Sequence, residues 1–103
     1  MTTPAQYAFY PSDTLNAVSI AATSAVQVLS INTKAIWGSI RICVAGTQEI
    51  AWAYGSVGAS ISKSVHMLPN TVEVFALPPN TSQISIVASA TGSTVYLNTG
   101  NGL

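Results

Sequence analysis

Residues 65–89, VHMLPNTVEVFALPPNTSQISIVAS, decide the class of fold. Two runs in this stretch, residues 71–77 and 84–88, alternate apolar and other side chains with the period of two that is typical of a strand. Pro78 and Pro79 stand between them and lack the N–H donors that a ladder needs, whereas Asn80 accepts turn conformations readily. The pattern predicts two strands joined by a sharp bend.

The alternation also predicts which side chains face the core. In the first run Val72, Val74 and Ala76 are expected on one face and Glu73 on the other, and the second run repeats the pattern. Together with neighbouring apolar positions this gives a predicted core of Ile40, Ile42, Trp52, Val72, Val74, Ile84 and Ile86.

The remaining chain predicts further short strands. Residues 15–31 favour two strands around a small-residue turn; a helix over residues 16–29 is the alternative, and their β-branched side chains disfavour it. Residues 36–45 and 49–54 are expected to form a hairpin. Residues 94–98 are expected to form the last strand, with Val95 and Leu97 on one face and Tyr96 on the other.

Two segments look like connections. Residues 55–64 are rich in glycine and serine, a composition that predicts a surface loop or a short edge strand. Residues 99–103 are expected to be a tail after the last strand.

Seven to eight short strands spaced about ten residues apart are typical of a sandwich or barrel. We therefore predict an all-β fold, a single-domain antiparallel β-sandwich with jelly-roll-like or Ig-like topology. The sandwich is expected over residues 14–103, preceded by an extended N-terminal arm over residues 1–13.

Charge is scarce along the chain. Only 6% of the 103 residues are charged and 49% are hydrophobic, whereas about 25% of an ordinary globular protein is charged. The formal net charge is zero, so little electrostatic repulsion keeps copies of the chain apart. We predict a homo-oligomer or another protein partner. Three separated cations cannot neutralise a row of phosphates, so no nucleic-acid partner is expected.

No group of residues predicts an active site. His66 is the only histidine and the acidic residues are scattered, so we expect no metal and no cofactor. A catalytic triad would need His66 and Asp13 without supporting sequence context, and no Gly-x-Ser-x-Gly elbow is present. Cys43, the only cysteine, lies in an apolar run and is expected to be a buried structural thiol. We predict that the protein is not an enzyme.

The arm carries three aromatic residues, Tyr7, Phe9 and Tyr10. Side chains of this kind bury roughly 150–250 Å² each, and these three have no evident partner within the domain. We take them, with Trp37, as the candidate interface to a second subunit or another partner. Stacking of Trp37, Trp52 or Tyr54 on a sugar is the alternative use of the aromatics, and core packing suits Trp52 and Tyr54 better.

Targeting signals are not apparent. The N-terminus lacks a charged region followed by an apolar one, and apolar stretches are interrupted well before the ~20 residues of a spanning helix. We expect synthesis in a cytoplasm and no membrane partner.

Several segments resemble small tailed-bacteriophage virion proteins: IRICVAGT at residues 40–47, IAWAYG at 50–55, MLPNTVEVF at 67–75, the prolines at 78–79 and VYLNTGNGL at 95–103. Many such proteins have a strand close to R-I-x-N-x-G, then L-P-x-x-V-E-x-F, an x-P-P-G turn and a terminal V-Y-x-T-x-G-x-G-L. The resemblance covers about residues 36–103, and Asn80 stands where those proteins commonly have glycine.

The resemblance implies a phage structural protein, a capsid decoration or cement protein that binds the major capsid protein and stabilises the assembled head. It implies a location on the capsid surface after synthesis in the host cytoplasm, and a trimer on a local three-fold axis, with a dimer as the alternative. In that setting Tyr7, Phe9, Tyr10 and Trp37 are candidates for the capsid or subunit interface. A carbohydrate- or receptor-binding sandwich of a fibre or lectin, and a head-completion or tail subunit, remain open.

Overall fold

The computed structural model describes residues 10–11, 18–31, 38–56 and 58–101. These residues contain nine strands and no helix, which confirms the predicted all-β class. No described helix could therefore cross a membrane. The strands are β1 (Tyr10–Pro11), β2 (Val18–Ala22), β3 (Gln27–Ser30), β4 (Ser39–Gly46), β5 (Ile50–Tyr54), β6 (Val65–Met67), β7 (Thr71–Ala76), β8 (Gln83–Ala88) and β9 (Ser93–Asn101).

The strands form two antiparallel sheets. The five-stranded sheet has the order β1-β9-β4-β7, with β2 also paired to β9, and the four-stranded sheet has the order β3-β8-β5-β6. The pairs β2–β9, β3–β8, β4–β7 and β5–β6 are nested, as in one long hairpin wrapped across two sheets. Nested pairing of this kind is the jelly-roll topology, one of the two that the sequence predicted. An Ig-like sandwich groups its strands differently.

The core lies between the two sheets. Ile40, Ile42, Trp52, Ile84 and Ile86 are each at most 1% exposed, which confirms five of the seven predicted core residues. The other residues of the same cluster come from both sheets and their connections: Ala22, Leu29, Ile31, Val44, Ile50, Met67, Leu77, Ala88, Val95 and Leu97. Burial of these side chains against one another holds the two sheets together.

The predicted face of β7 was wrong. Val72 is 48% exposed, and Phe75, not Val74, packs against the core. Phe75 lies opposite the buried Ile40 in the register with β4, so its side chain points inward and its neighbours point out. Glu73 also has the inward direction, but at the edge of the sheet its carboxylate stays exposed. Alternation therefore predicted the strand period of β7 correctly, but it predicted the wrong face of the strand for the core.

The bend between β7 and β8 crosses from one sheet to the other. β7 is the edge of the five-stranded sheet and β8 lies inside the four-stranded sheet, so they are not neighbours in one sheet. Asn80 has a φ of 65°, a left-handed conformation that asparagine tolerates. The sharp bend is therefore confirmed, with a crossover in place of a paired turn.

The predicted hairpin of residues 36–45 and 49–54 was also wrong. β4 belongs to the five-stranded sheet and β5 to the four-stranded sheet. Ser93 Oγ accepts a hydrogen bond from the Gln48 N–H (2.8 Å) and donates one to the Gln48 carbonyl (2.7 Å). These bonds hold the bend after Gly46 against the start of β9, so the chain leaves one sheet for the other.

Two predicted connections are part of the folded body. Ala59 and Ile61 pack on Ala51 and Val87, so the segment after β5 covers the outer face of the four-stranded sheet. Thr99 belongs to β9, which runs on to Asn101 beyond the predicted end of the last strand. Each segment is held in place by contacts with residues that are distant in sequence.

Candidate interaction surface

The outer face of the five-stranded sheet is open to solvent along its length. It is built from the outward residues of four strands, and we call it the open face: Ser19, Ala21, Arg41, Cys43, Ala45, Val72, Val74, Thr94, Tyr96 and Asn98. These positions alternate with buried core residues such as Ile42 and Val95, so the pleat of each strand directs them away from the core. All ten are exposed or half-buried.

An apolar row crosses the middle of the open face. Tyr96 lies beside Cys43, and Cys43 lies beside Val72, in consecutive strand pairs. Tyr96 is 41% exposed and Val72 48% exposed. Cys43 is half-buried in this row, so the expectation of a buried core thiol is corrected. Large apolar side chains exposed together are typical of a surface that contacts another molecule.

The open face carries little charge. Arg41 is its only ionisable residue other than Cys43 and Tyr96, and it stands beside Val74 and Asn98. Such a face offers shape, apolar area and neutral hydrogen-bonding groups to a partner.

The rim beside β7 is closed by aromatic rings. Trp52 packs edge-on against Tyr54, with ring centroids 4.9 Å apart, and against Phe75, with centroids 4.8 Å apart. The Tyr54 hydroxyl donates a hydrogen bond to the Ala76 carbonyl. Burial raises the pKa of Tyr54 above its ordinary value. The rim is thus held by contacts between the two sheets.

A shallow groove lies next to these rings. Trp52, Ala53, Tyr54, Lys63, Ser64 and Val65 line it. Trp52 is 1% exposed, and its indole Nε1 is buried without a hydrogen-bond partner among the described residues. Trp52 therefore cannot stack on a sugar, as the preference for core packing predicted.

The described residues contain no group of three or more His, Cys, Asp or Glu that could hold a metal ion. His66 Nε2 lies 2.7 Å from Glu49 Oε1, and both side chains are 43% exposed. An exposed pair of this kind contributes little to stability. It joins the residue before β5 to β6, and no third His, Cys, Asp or Glu among the described residues stands with it.

The predicted interface residues are largely outside the described part of the chain. Tyr7, Phe9 and Trp37 lie outside the described residues, and only the backbone of Tyr10 is described. Tyr10 pairs with Asn101 and Pro11 with Gly100, so the end of the arm joins the five-stranded sheet through β1. The role of these four side chains stays a prediction.

Sequence reasoning missed the open face. Its one usable signal was the exposed Tyr96, which alternation correctly placed opposite Val95 and Leu97. Val72 was assigned to the core, so the apolar row across three strands could not be assembled from the sequence. The row exists because β9 and β7 both pair with β4.

No protein-family model and no curated protein matches this chain. Among solved structures, the chain is similar to the coat protein of Tobacco streak virus, with 8% sequence identity and a TM-score of 0.40. The match covers 88% of this chain and 90% of the coat protein. A likeness this low carries no information about function.

Proposed function

We propose that the protein is a non-enzymatic structural subunit of a phage particle, a decoration protein that binds the major capsid protein on the assembled head. The observation that carries the proposal is the resemblance of about residues 36–103 to phage virion proteins, and the low-charge open face supports it. A decoration protein works through many equivalent contacts, which need shape and apolar complementarity rather than an active site.

The fold agrees with this role without deciding it. Jelly rolls occur in viral capsid proteins, lectins and cupins, so the topology admits several functions. Of these, a lectin function needs exposed aromatic and polar groups arranged around a sugar. Trp52 is unavailable for that purpose because it is buried. The virion role therefore ranks above sugar binding, for which Trp37 remains the candidate residue.

In the proposed complex the arm makes the capsid or subunit contact. Tyr7, Phe9 and Tyr10 lie in the arm, and Trp37 precedes β4 in the sequence. β1 attaches the arm beside the end of β9, which lies in the sheet that bears the open face. Residues 10–11 of the arm and the open face thus belong to one sheet and can act on the same partner. A location on the capsid surface and a homo-oligomer, either a trimer or the alternative dimer, complete the proposal.

The test uses purified phage heads that lack this protein. The full-length chain is compared with a chain lacking residues 1–9, which removes Tyr7 and Phe9 and keeps β1. The bound fraction is measured by sedimentation of the heads with increasing protein. We expect saturable binding of the full chain at a fixed number of copies per head, and weaker binding of the shortened chain.

A second variant separates the arm from the open face. Tyr96→Ser on the open face keeps the arm and should weaken binding only if this face contacts the head. If the full-length chain does not bind such heads, the decoration role is wrong. If it binds heads and the shortened chain binds equally well, the arm has no part in the contact.

A further inference from the structure

We infer that β7 pairs with β7 of a second copy of this chain, antiparallel about a two-fold axis, with the two Val74 residues opposite each other. This inference does not rest on the proposed function, because the contact needs no capsid. It follows from the length of the free edge, the direction of its backbone groups and the position of its one charge.

β7 is the most extensive exposed edge among the described strands. It has six residues, against three in β6 and four in β3, which are the edges of the other sheet. β2 lies at the other edge of the five-stranded sheet and has five residues. β7 contains no proline or lysine, the residues that commonly protect an edge from pairing. Glu73 is its single charged residue.

The direction of the β7 backbone follows from one hydrogen bond. The Leu77 N–H donates to the Gly38 carbonyl (2.8 Å), one position beyond the pair Ala76–Ser39. That geometry makes Ala76–Ser39 a pair without mutual hydrogen bonds, so the N–H and C=O of Ala76 point away from β4. The bond from Tyr54 to the Ala76 carbonyl agrees with this direction.

By alternation the N–H and C=O of Val72 and Val74 also point to the free edge. No described residue bonds to these groups. They form a short row of donors and acceptors with the spacing of an antiparallel ladder. A strand of any sequence can pair there through its backbone, and a second β7 offers the matching row.

The side chains select the register. The cores of both copies lie on the same side of the joined sheet, so inward residues must face inward residues. Two central registers satisfy this condition, one with Glu73 on the axis and one with Val74 on the axis. The first places two Glu73 carboxylates directly opposite each other, which is destabilising. The second places Glu73 opposite Phe75 and Val72 opposite Ala76. The Ala76 carbonyl already accepts a hydrogen bond from Tyr54, so the central ladder bonds are those between the two Val74 residues.

Pairing in the second register would join two five-stranded sheets into one continuous sheet and extend the open face across the axis. The zero net charge of each chain leaves little overall repulsion to oppose it. The two-fold geometry favours a dimer, which the phage resemblance left as the alternative to a trimer.

The first test measures the mass of the purified chain by sedimentation equilibrium over a range of concentrations, without capsids. We expect a reversible dimer. Val74→Pro removes an N–H that points to the free edge, and it breaks no hydrogen bond to β4. The monomer should therefore fold as before, and the variant should dimerise at least about tenfold more weakly. Val74→Ala keeps that N–H and is the matched control, with a dimer retained.

The second test fixes the register and does not depend on how well a proline variant folds. In a Cys43→Ala background, Val74→Cys and Glu73→Cys are compared in oxidation with diamide, which is reduced to the hydrazine as two thiols form the disulfide. Residues paired across the axis lie about 5.5 Å apart at Cα, within the range that a disulfide spans. We expect rapid covalent dimers from Val74→Cys and few from Glu73→Cys.

Three results would overturn the inference. These are a chain that stays monomeric at all concentrations, an oligomer of any size that Val74→Pro leaves unchanged while the variant is folded, and preferential cross-linking through Glu73→Cys. Binding to phage heads is measured separately, so loss of the dimer and loss of the decoration role are distinguishable.

Discussion

The hydroxyl of Tyr54 donates a hydrogen bond to the carbonyl of Ala76 and so joins β5 of one sheet to the edge strand β7 of the other. The Tyr54 ring lies edge-on to Trp52, with their planes at 81°. Trp52 in turn contacts Phe75, which precedes Ala76 in β7. One side of the sandwich is therefore closed by a chain of aromatic contacts that ends in a single hydrogen bond.

Replacing Tyr54 by phenylalanine removes this bond and keeps the ring. We expect the free energy of unfolding to fall by about 0.5–1.5 kcal/mol, the usual net contribution of one hydrogen bond. Urea unfolding followed by tryptophan fluorescence measures the loss. Tyr96→Phe on the open face is the control and should change stability little. Equal effects of the two substitutions would contradict a structural role for the Tyr54 hydroxyl.

Stability should also fall at alkaline pH through Tyr54. Burial raises the pKa of Tyr54 in the folded chain above its ordinary value near ~10. Above that pH the unfolded chain loses the proton first, so the folded state loses stability as the pH rises toward the folded pKa and is unaffected well below it. Urea midpoints measured over a pH range that spans about 10 should fall less steeply for Tyr54→Phe than for the unaltered chain. Parallel curves would contradict the prediction.

The core and the open face should respond differently to truncation. Ile86 is 0% exposed, so Ile86→Ala should lower the free energy of unfolding by about 2–5 kcal/mol. Val72 is 48% exposed, and Val72→Ala should change it by less than about 0.5 kcal/mol. Chemical denaturation of both variants under the same conditions tests the pair. A large loss from Val72→Ala would place that side chain in the core after all.

Gly46 is required at the bend after β4. Its φ is 138°, and a Cβ there would lie 2.2 Å from the Gly92 carbonyl oxygen. Both atoms involved are fixed by the backbone, so Gly46→Ala should cost about 3 kcal/mol or more in unfolding free energy. Gly38→Ala is the control, because a Cβ at Gly38 meets nothing within 4 Å. Similar thermal midpoints for the two variants would exclude this account.

Ser93 should matter because it holds the same bend from the other side. It is 4% exposed, and its hydroxyl bonds both the N–H and the carbonyl of Gln48. Ser93→Ala leaves these groups without that partner and should lower stability by about 1–3 kcal/mol. Ser19→Ala, at an exposed position on the open face, is the matched control. Hydrogen exchange at the Gln48 amide should also become faster in Ser93→Ala.

The sequence by itself determined the class of fold and most of its strands. Alternation predicted Ile84 and Ile86 in the core and put Val95 and Leu97 on one face of the last strand. All four side chains are buried, because both strands are paired on two sides and turn these faces toward the core. The pair of prolines before Asn80 determined the bend. Local geometry was enough for these features, since strand period and turn chemistry act over a few residues.

Only the tertiary structure decided which strands are neighbours. The chain turns between sheets where the sequence indicated a hairpin, and the contact that holds this turn joins Gln48 to Ser93, 45 positions apart in the chain. Val72 faces out because β7 pairs with β4 in the register that puts Phe75 beside Ile40. The apolar row of the open face and the free edge of β7 follow from that pairing, and pairing depends on contacts that no local pattern encodes.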